Sequence, residues 1–205
     1  MKKRILLAAG LFASFITLLI ITCFWAEEPA KQVRDSVLRF HIVANSDSET
    51  DQQNKLAVRD GIASLCAALF KPSDSKTESM QIAAENASVI ENAAKDILAE
   101  RGSEDNVTVS IRKRFFPTRH YDGVSLPAGV YDTIDVQIGA AEGRNFWCVM
   151  FPEICIGSSL DKNQEKMSEV LTDDAAELVT ENKPTVRFKF KIIEIIENIR
   201  NKIKK

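Results

Sequence analysis

Histidine, tryptophan and tyrosine are scarce in this chain of 205 residues, where each occurs only twice. The two histidines are His41 and His120, and the sequence contains neither a G-x-S-x-G nor an H-E-x-x-H motif. A hydrolase needs a nucleophile, a base and an orienting group, and a metal site needs several closely spaced ligands. The sequence therefore predicts no enzyme activity, no cofactor and no metal site. The alternative is a small extracytoplasmic hydrolase that uses His41 or His120.

The sequence also lacks an excess of basic residues. It contains no glycine-rich phosphate loop, internal repeat or low-complexity block. The formal net charge is −2, and the cations at positions 2–4 precede the first acid, so the remainder is more acidic still. Proteins that bind nucleic acid usually carry a basic footprint. Neither nucleic acid nor a small-molecule substrate is therefore an expected partner.

The N-terminus is typical of an export segment. Cations at positions 2–4 precede an uncharged run over residues 5–26, which ends at Glu27. As a helix this run reaches roughly 33 Å, and a hydrocarbon core is about 30 Å thick. The charge asymmetry predicts that the rest of the chain lies outside the cytoplasm. Residues 1–26 are a signal peptide or a signal anchor; their length and the lack of a small-residue cleavage site favour retention.

Strand patterns follow a polar segment over residues 27–36, which is predicted to be a linker. Alternating apolar residues predict strands over residues 37–44, 107–112 and 130–138. The apolar run at 146–151 predicts a central strand buried on both faces.

Side-chain alternation also assigns the faces of these strands. Leu38, Phe40 and Ile42 share one face, and Arg39 and His41 point to the other. By the same alternation the two carboxylates at positions 132 and 135 point to opposite faces, so they do not converge.

Helical spacing of apolar residues predicts helices over residues 51–70 and 77–101. Together these patterns indicate an α+β fold with a small, mostly antiparallel sheet and helices packed on it, after the N-terminal helix. We assign residues 37–160 to one signalling domain and residues 161–205 to a C-terminal helical region.

The C-terminal region allows several interpretations. A helix is predicted over residues 161–182, and residues 186–205 are either an amphipathic helix or a strand at 186–190 that leads into one. The apolar stripe of this last segment and its basic end suit a membrane surface, a partner helix, or packing on the protein's own domain.

The stretch over residues 115–157 contains five of the eight glycines and many of the aromatic residues, which indicates short strands joined by tight turns. Its side chains are either core residues of the sheet or a recognition surface on loops. The predicted surface consists of Arg119, His120, Tyr121, Asn145 and Trp147.

Two long segments, residues 39–60 and 116–155, resemble the stage II sporulation protein R family of endospore-forming bacteria. Three departures from its pattern, Asp122, Phe146 and Glu153, affect loop geometry more than membership. The matching positions are His41, Asn45, Ser46, Asp47, Asp51, Arg59, Asp60, Pro117, Arg119, Tyr121, Pro127, Ala128, Gly129, Tyr131, Ile138, Gly139, Gly143, Asn145, Trp147, Cys148, Pro152 and Cys155.

The resemblance implies an exported signal that crosses the forespore membrane and acts in the space between forespore and mother cell. Its implied partner is a membrane-embedded aspartic protease, stage II sporulation protein GA, which cleaves pro-sigma E in the mother cell. Arg119, Tyr121, Asn145 and Trp147 are the expected contact residues, because Arg, Tyr and Trp dominate interface hot spots. His41, Asn45 and Asp47 from the first segment are added to this set.

Cys148 and Cys155 are separated by six residues that include Pro152. Outside the cytoplasm two such thiols form a disulfide or stay reduced in the core. Cys66 lies on the inward side of the first predicted helix and is expected to be a core residue.

Overall fold

The computed structural model describes residues 2–71, 73–154, 160–180 and 184–203. The N-terminal half contains α1 (Lys2–Ser36), β1 (Leu38–Val43), α2 (Glu49–Phe70), α3 (Lys76–Glu85) and α4 (Ala87–Glu100). The strands that follow are β2 (Val107–Phe116), β3 (Arg119–Tyr121), β4 (Val124–Leu126), β5 (Gly129–Ile138) and β6 (Asn145–Phe151). The C-terminal part contains α5 (Leu160–Val170), α6 (Asp173–Thr180) and α7 (Pro184–Ile203).

The main sheet has the strand order β2-β5-β1-β6, and β3 pairs with β4 in a separate hairpin. The two central strands, β1 and β5, run parallel, whereas β6 and β2 are antiparallel to their neighbours. The α+β class is confirmed. The sheet is mixed: two of its three pairings are antiparallel, as predicted, and the third, β1 with β5, is parallel because the long α2–β4 segment returns the chain to the start of β1 before β5 begins.

Strand β6 lies at an edge of the sheet, so its predicted central position is wrong. Its apolar side chains are nevertheless covered on both faces. Cys148 and Met150 contact one core cluster, and Trp147 and Val149 contact the other. An apolar run therefore reports that both faces are covered, and it contains no information on the strand order.

Each face of the sheet has its own core, and β1 contributes to both. Leu38, Phe40 and Ile42 join the cluster beneath α2, α3 and α4, as their alternation predicts. On the other face β1 presents Arg39 and His41, which are fully buried. That second face is covered by a cluster from α1, the β3–β4 hairpin, α5 and α6, which includes Val33, Phe116, Leu126, Tyr131, Trp147, Val149, Met167 and Val179.

Capping residues set the helix boundaries on the first face. The Ser48 hydroxyl accepts a hydrogen bond from the Asp51 backbone N–H at 3.1 Å, so α2 begins at Glu49. The single helix predicted over residues 77–101 is two helices. They are divided at Asn86, whose side-chain amide donates to the Ile82 carbonyl at 2.8 Å and competes with the helical pattern.

The segment predicted to be a linker, residues 27–36, is the C-terminal part of α1. Ala30 and Val33 are buried at helical spacing, and Arg34 donates to Glu27 at 2.7 Å along the same face. The segment is mostly polar, so its composition did not indicate this short buried stripe. Across the described ranges, no helix is both long enough and apolar enough to cross a membrane. Export through residues 1–26 stays a prediction.

Helix α7 includes residues 186–190, so the competing strand there is wrong. One side of α7 packs on α1 and α6 through Ala30, Leu178, Val186, Phe190 and Ile193. Packing on the protein's own domain is thus confirmed for this side. The other side of α7 leaves Phe188, Ile195, Ile199 and Ile203 exposed. The helix predicted over residues 161–182 is interrupted between α5 and α6.

Candidate partner-binding site

A buried histidine–aspartate pair lies at the centre of the second face. Strand pairing places His41 of β1 beside Asp135 of β5, and His41 Nδ1 lies 2.5 Å from Asp135 Oδ1. On the other side, His41 Nε2 lies 2.7 Å from Asn145 Oδ1 at the start of β6. Both ring nitrogens of His41 are thus within hydrogen-bonding distance of a side-chain oxygen.

Two arginines of β2 reach the same carboxylate. Arg112 and Arg114 alternate along the strand, so both point to the face of Asp135. Arg114 Nη1 donates to Asp135 Oδ1 at 2.8 Å, and Arg112 Nη2 donates to Oδ2. Burial by itself would raise the pKa of Asp135, but the hydrogen bond from His41 and the nearby positive charges hold it below its ordinary value.

Asp132 lies on the opposite face, as alternation predicts. Its carboxylate pairs with Lys76 at 2.7 Å and with Lys113 at 3.0 Å. Lys113 stands between Arg112 and Arg114 in the sequence but on the other side of β2, and its side chain is 72% exposed. The two carboxylates of β5 therefore serve separate ion-pair groups.

Arg119 and Trp147 form the partly exposed part of the site. The central guanidinium carbon of Arg119 lies 3.5 Å from the centre of the Trp147 ring, in a cation–π contact. The Trp147 ring is in turn stacked near His41, with 6.0 Å between ring centres. Arg119 Nε is buried and has no hydrogen-bond partner among the residues that the structure describes.

A second arginine lies beneath this surface without a carboxylate. Arg39 is fully buried; its Nη2 donates to the Tyr121 hydroxyl at 2.6 Å and its Nε donates to the Cys148 carbonyl at 3.0 Å. Its guanidinium also lies 4.2 Å from the centre of the Phe116 ring. The Tyr121 hydroxyl donates to the Trp147 carbonyl at 3.2 Å. Tyr121 therefore links the β3–β4 hairpin to β1 and β6.

The predicted contact residues separate into two groups. Asn145 and Trp147 contact His41, and Arg119 and Tyr121 contact Trp147, so these four residues do come together. They lie on strands β3 and β6 rather than on loops. His120 is exposed on β3, and its Nδ1 lies 2.8 Å from Ser125 Oγ across the hairpin.

Asn45 and Asp47 instead hold the loop that joins β5 to β6. Asn45 Oδ1 accepts a hydrogen bond from the Ala140 backbone N–H at 2.9 Å, and Asp47 Oδ1 accepts one from the Arg144 backbone N–H at 2.7 Å. A Cβ atom at Gly139, where φ is +56°, would lie 2.2 Å from Asn45 Oδ1. These contacts position the start of β6.

Sequence reasoning missed Arg39, Arg112, Arg114 and Asp135. Alternation in β1, β2 and β5 does assign each of them a face. Strand pairing, which the sequence does not determine, places the four side chains on the same face of the sheet. We use the term "basic face" for the surface formed by Arg112, Arg114, Arg119, Asn145 and Trp147 over the buried His41–Asp135 pair.

The cysteines differ in their environments. Cys148 is disulfide-bonded. Cys155 lies outside the described residues, so the predicted Cys148–Cys155 pair stays a prediction. Cys66 is buried in the first core as expected, and burial raises the pKa of its thiol to about 12. Among the described residues, no group of three or more His, Cys, Asp or Glu side chains is placed to hold a metal ion.

The described geometry is that of a rigid strand surface supported by buried ion pairs, and comparisons with known proteins identify its class. A family model described as "Stage II sporulation protein R" matches residues 34–161, which include the whole sheet and the basic face. The chain belongs to the stage II sporulation protein R family, whose role is in sporulation. It is 30% identical over 187 residues to "Stage II sporulation protein R" of Bacillus subtilis (strain 168), covering 88% of this chain and 82% of that protein. No solved structure matches the chain significantly.

Proposed function

We propose that this chain is an exported sporulation signal that binds a membrane-embedded aspartic protease, stage II sporulation protein GA. Binding favours the active state of the protease, which then cleaves pro-sigma E in the mother cell. Family membership supports the sporulation part of this proposal. The cations at positions 2–4 and the apolar run that follows support export across the forespore membrane into the intermembrane space.

The observation that carries the binding proposal is the partly exposed stack of Arg119 on Trp147, next to Tyr121. Arg, Trp and Tyr are the residue types most enriched among interface hot spots. Here they lie on strands and are held from beneath by Arg39 and the His41–Asp135 pair. Such a surface changes little on binding, so little of the binding free energy is lost to ordering.

A binding protein activates an enzyme only by its difference in affinity for the active and inactive states. To move a protease from about 1% active to about 99% active, this difference must be about 5.5 kcal/mol. Three hot spots reach that value if each contributes about 2 kcal/mol more to binding of the active state than of the inactive state. Arg119, Trp147 and Tyr121 are the three residues that we assign to this role.

The geometry supports binding better than hydrolysis. Both ring nitrogens of His41 are already hydrogen-bonded, to Asp135 and Asn145, and its side chain is buried. His120 contacts Ser125, but among the described hydrogen bonds no carboxylate orients its ring. We therefore propose that the chain is not itself an enzyme.

Co-expression tests the proposal. The full chain, the protease and pro-sigma E are produced together in a host that does not sporulate, and processing of pro-sigma E is followed by its change in size. We expect processing only when all three are present. If pro-sigma E is processed equally well without the chain, or by the chain without the protease, the proposed function is wrong.

A further inference from the structure

We propose that the basic face recognises an acidic segment of its protein partner, whose carboxylates pair with Arg112, Arg114 and Arg119. This inference rests on the proposed function, because it assigns the chemistry of the surface that the partner presents. It concerns two residues, Arg112 and Arg114, that the family motif does not include.

The first support is a local surplus of positive charge. Arg112 and Arg114 share the single carboxylate of Asp135, and the third arginine of the basic face, Arg119, forms none of the ion pairs found in the described part of the chain. The buried Arg39 adds a further positive charge beneath them. The chain as a whole has a formal net charge of −2. A basic patch on an acidic protein steers oppositely charged partners toward it.

The second support is that these guanidinium groups keep donors available. The side chains of Arg112 and Arg114 are 45% and 32% exposed, and each uses one terminal nitrogen for Asp135. A guanidinium has five N–H donors, so most of them remain for a ligand. Asp135 thus fixes the positions of Arg112 and Arg114 and leaves most of their N–H donors free to bind a ligand.

The third support concerns the kind of anion. The cations of this face are all arginines, whose planar guanidinium matches a carboxylate through two parallel hydrogen bonds. The neighbouring lysine, Lys113, points to the opposite side of β2. Trp147 and Asn145 beside the arginines suit a protein surface. Exposed apolar side chains of the type that enter lipid lie mainly on other elements, α1 and α7. A protein carboxylate is therefore favoured over a lipid headgroup.

The direct test uses a fluorescent hexaglutamate peptide and the purified full chain, with binding measured by fluorescence anisotropy. We expect saturable binding that weakens as NaCl rises from about 50 to about 500 mM. The double variant R112Q/R119Q should bind at least about tenfold more weakly, while Arg114 still pairs with Asp135. The matched control is K113Q, which removes a more exposed cation from the opposite face and should change binding less than about twofold.

Thermal unfolding of both variants is measured alongside, to separate folding from binding. Equal loss of binding in R112Q/R119Q and K113Q, or tighter binding to anionic lipid vesicles than to hexaglutamate, would overturn the inference. The co-expression assay separates the two proposals. Processing that requires the chain but tolerates R112Q/R119Q supports the proposed function and contradicts the acidic-segment inference. Peptide binding that depends on the arginines, without any effect of the chain on processing, supports the acidic-segment inference and contradicts the proposed function.

Discussion

The guanidinium of Arg119 lies over the indole ring of Trp147, with 3.5 Å between its central carbon and the ring centre. The first residue is on the β3–β4 hairpin and the second is on the edge strand β6, so this contact joins two separately hydrogen-bonded sheets. Because both side chains are partly exposed and fixed by each other, they form a prearranged anchor. This anchor is the part of the surface on which we expect signalling to depend most.

Replacing Arg119 with Ala should abolish pro-sigma E processing while leaving the fold intact. Its buried Nε has no partner, so truncation removes no hydrogen bond of that atom. We expect a loss of at least about 2 kcal/mol in binding, or about thirtyfold in affinity. The free energy of unfolding should change by less than about 1 kcal/mol. Co-expression and urea unfolding measure the two quantities, with Lys113→Ala as control.

Replacing Trp147 with Ala should abolish processing as well. Trp147 also contacts the second core, so some loss of stability accompanies this change. Trp147→Phe keeps an aromatic ring in the core and reduces the area available for stacking, and we expect it to give intermediate processing at near-normal stability. Full processing by both Arg119→Ala and Trp147→Ala would show that the basic face is not the contact surface.

Asp135→Asn should destabilise the chain by about 3 kcal/mol, because it removes the charge that His41, Arg112 and Arg114 share in a buried position. Asp60→Asn is the matched control. Asp60 is exposed beside Arg59, and its loss should cost less than about 1 kcal/mol. Urea denaturation of the purified chain compares the two. Similar values for both variants would contradict the central role of Asp135 in holding the sheet together.

Acid should weaken the fold through the same carboxylate. The pKa of Asp135 is lowered in the folded chain, so its stabilising contribution is complete above the ordinary aspartate pKa of about 3.9 and is lost as the pH falls below that value. The stability difference between the wild type and Asp135→Asn should therefore shrink as the pH falls below about pH 4, and urea unfolding at a series of pH values measures it. A difference that does not shrink in that range would contradict this assignment.

Peptide mapping of the unreduced chain should recover Cys148 linked to Cys155. Cys148 is disulfide-bonded, and the predicted loop is short, so reduction should cost about 2–3 kcal/mol of stability. Cys66 should resist alkylation in the folded chain, because burial suppresses its thiolate. Recovery of Cys148 linked to any other cysteine would overturn the predicted pair.

Alternation in the sequence predicted the strands and the faces of β1 and β5 correctly, because successive side chains of a strand point to opposite faces and the two faces here hold different residue types. It could not predict which strands are neighbours. The parallel pairing of β1 with β5 and the edge position of β6 depend on how the helices cover the sheet. The prediction of a linker at residues 27–36 was wrong because only two apolar residues, Ala30 and Val33, form its buried stripe. So short a stripe can be recognised only when the surface that it packs against is known.

Only part of the candidate site was predictable, because the sequence does not show which strands are neighbours. Arg119, Tyr121, Asn145 and Trp147 stood out by residue type and by the family motif, and strand pairing brings them together. Asp135 and Asp132 lie on the same strand, and alternation shows only that their carboxylates point to opposite faces. The true partners of Asp135, namely His41 and Arg112, come from neighbouring strands and are recognisable only from the register.

The central claim is that the chain activates a protease by binding to it. The most direct measurement adds purified full-length chain to proteoliposomes that contain the protease and follows the cleavage rate of pro-sigma E against chain concentration. We predict a rate that rises to a plateau, with no cleavage when the protease is left out and almost none with Arg119→Ala at the concentration that half-saturates the wild type. A cleavage rate that is independent of the chain, or cleavage by the chain alone, would contradict this account.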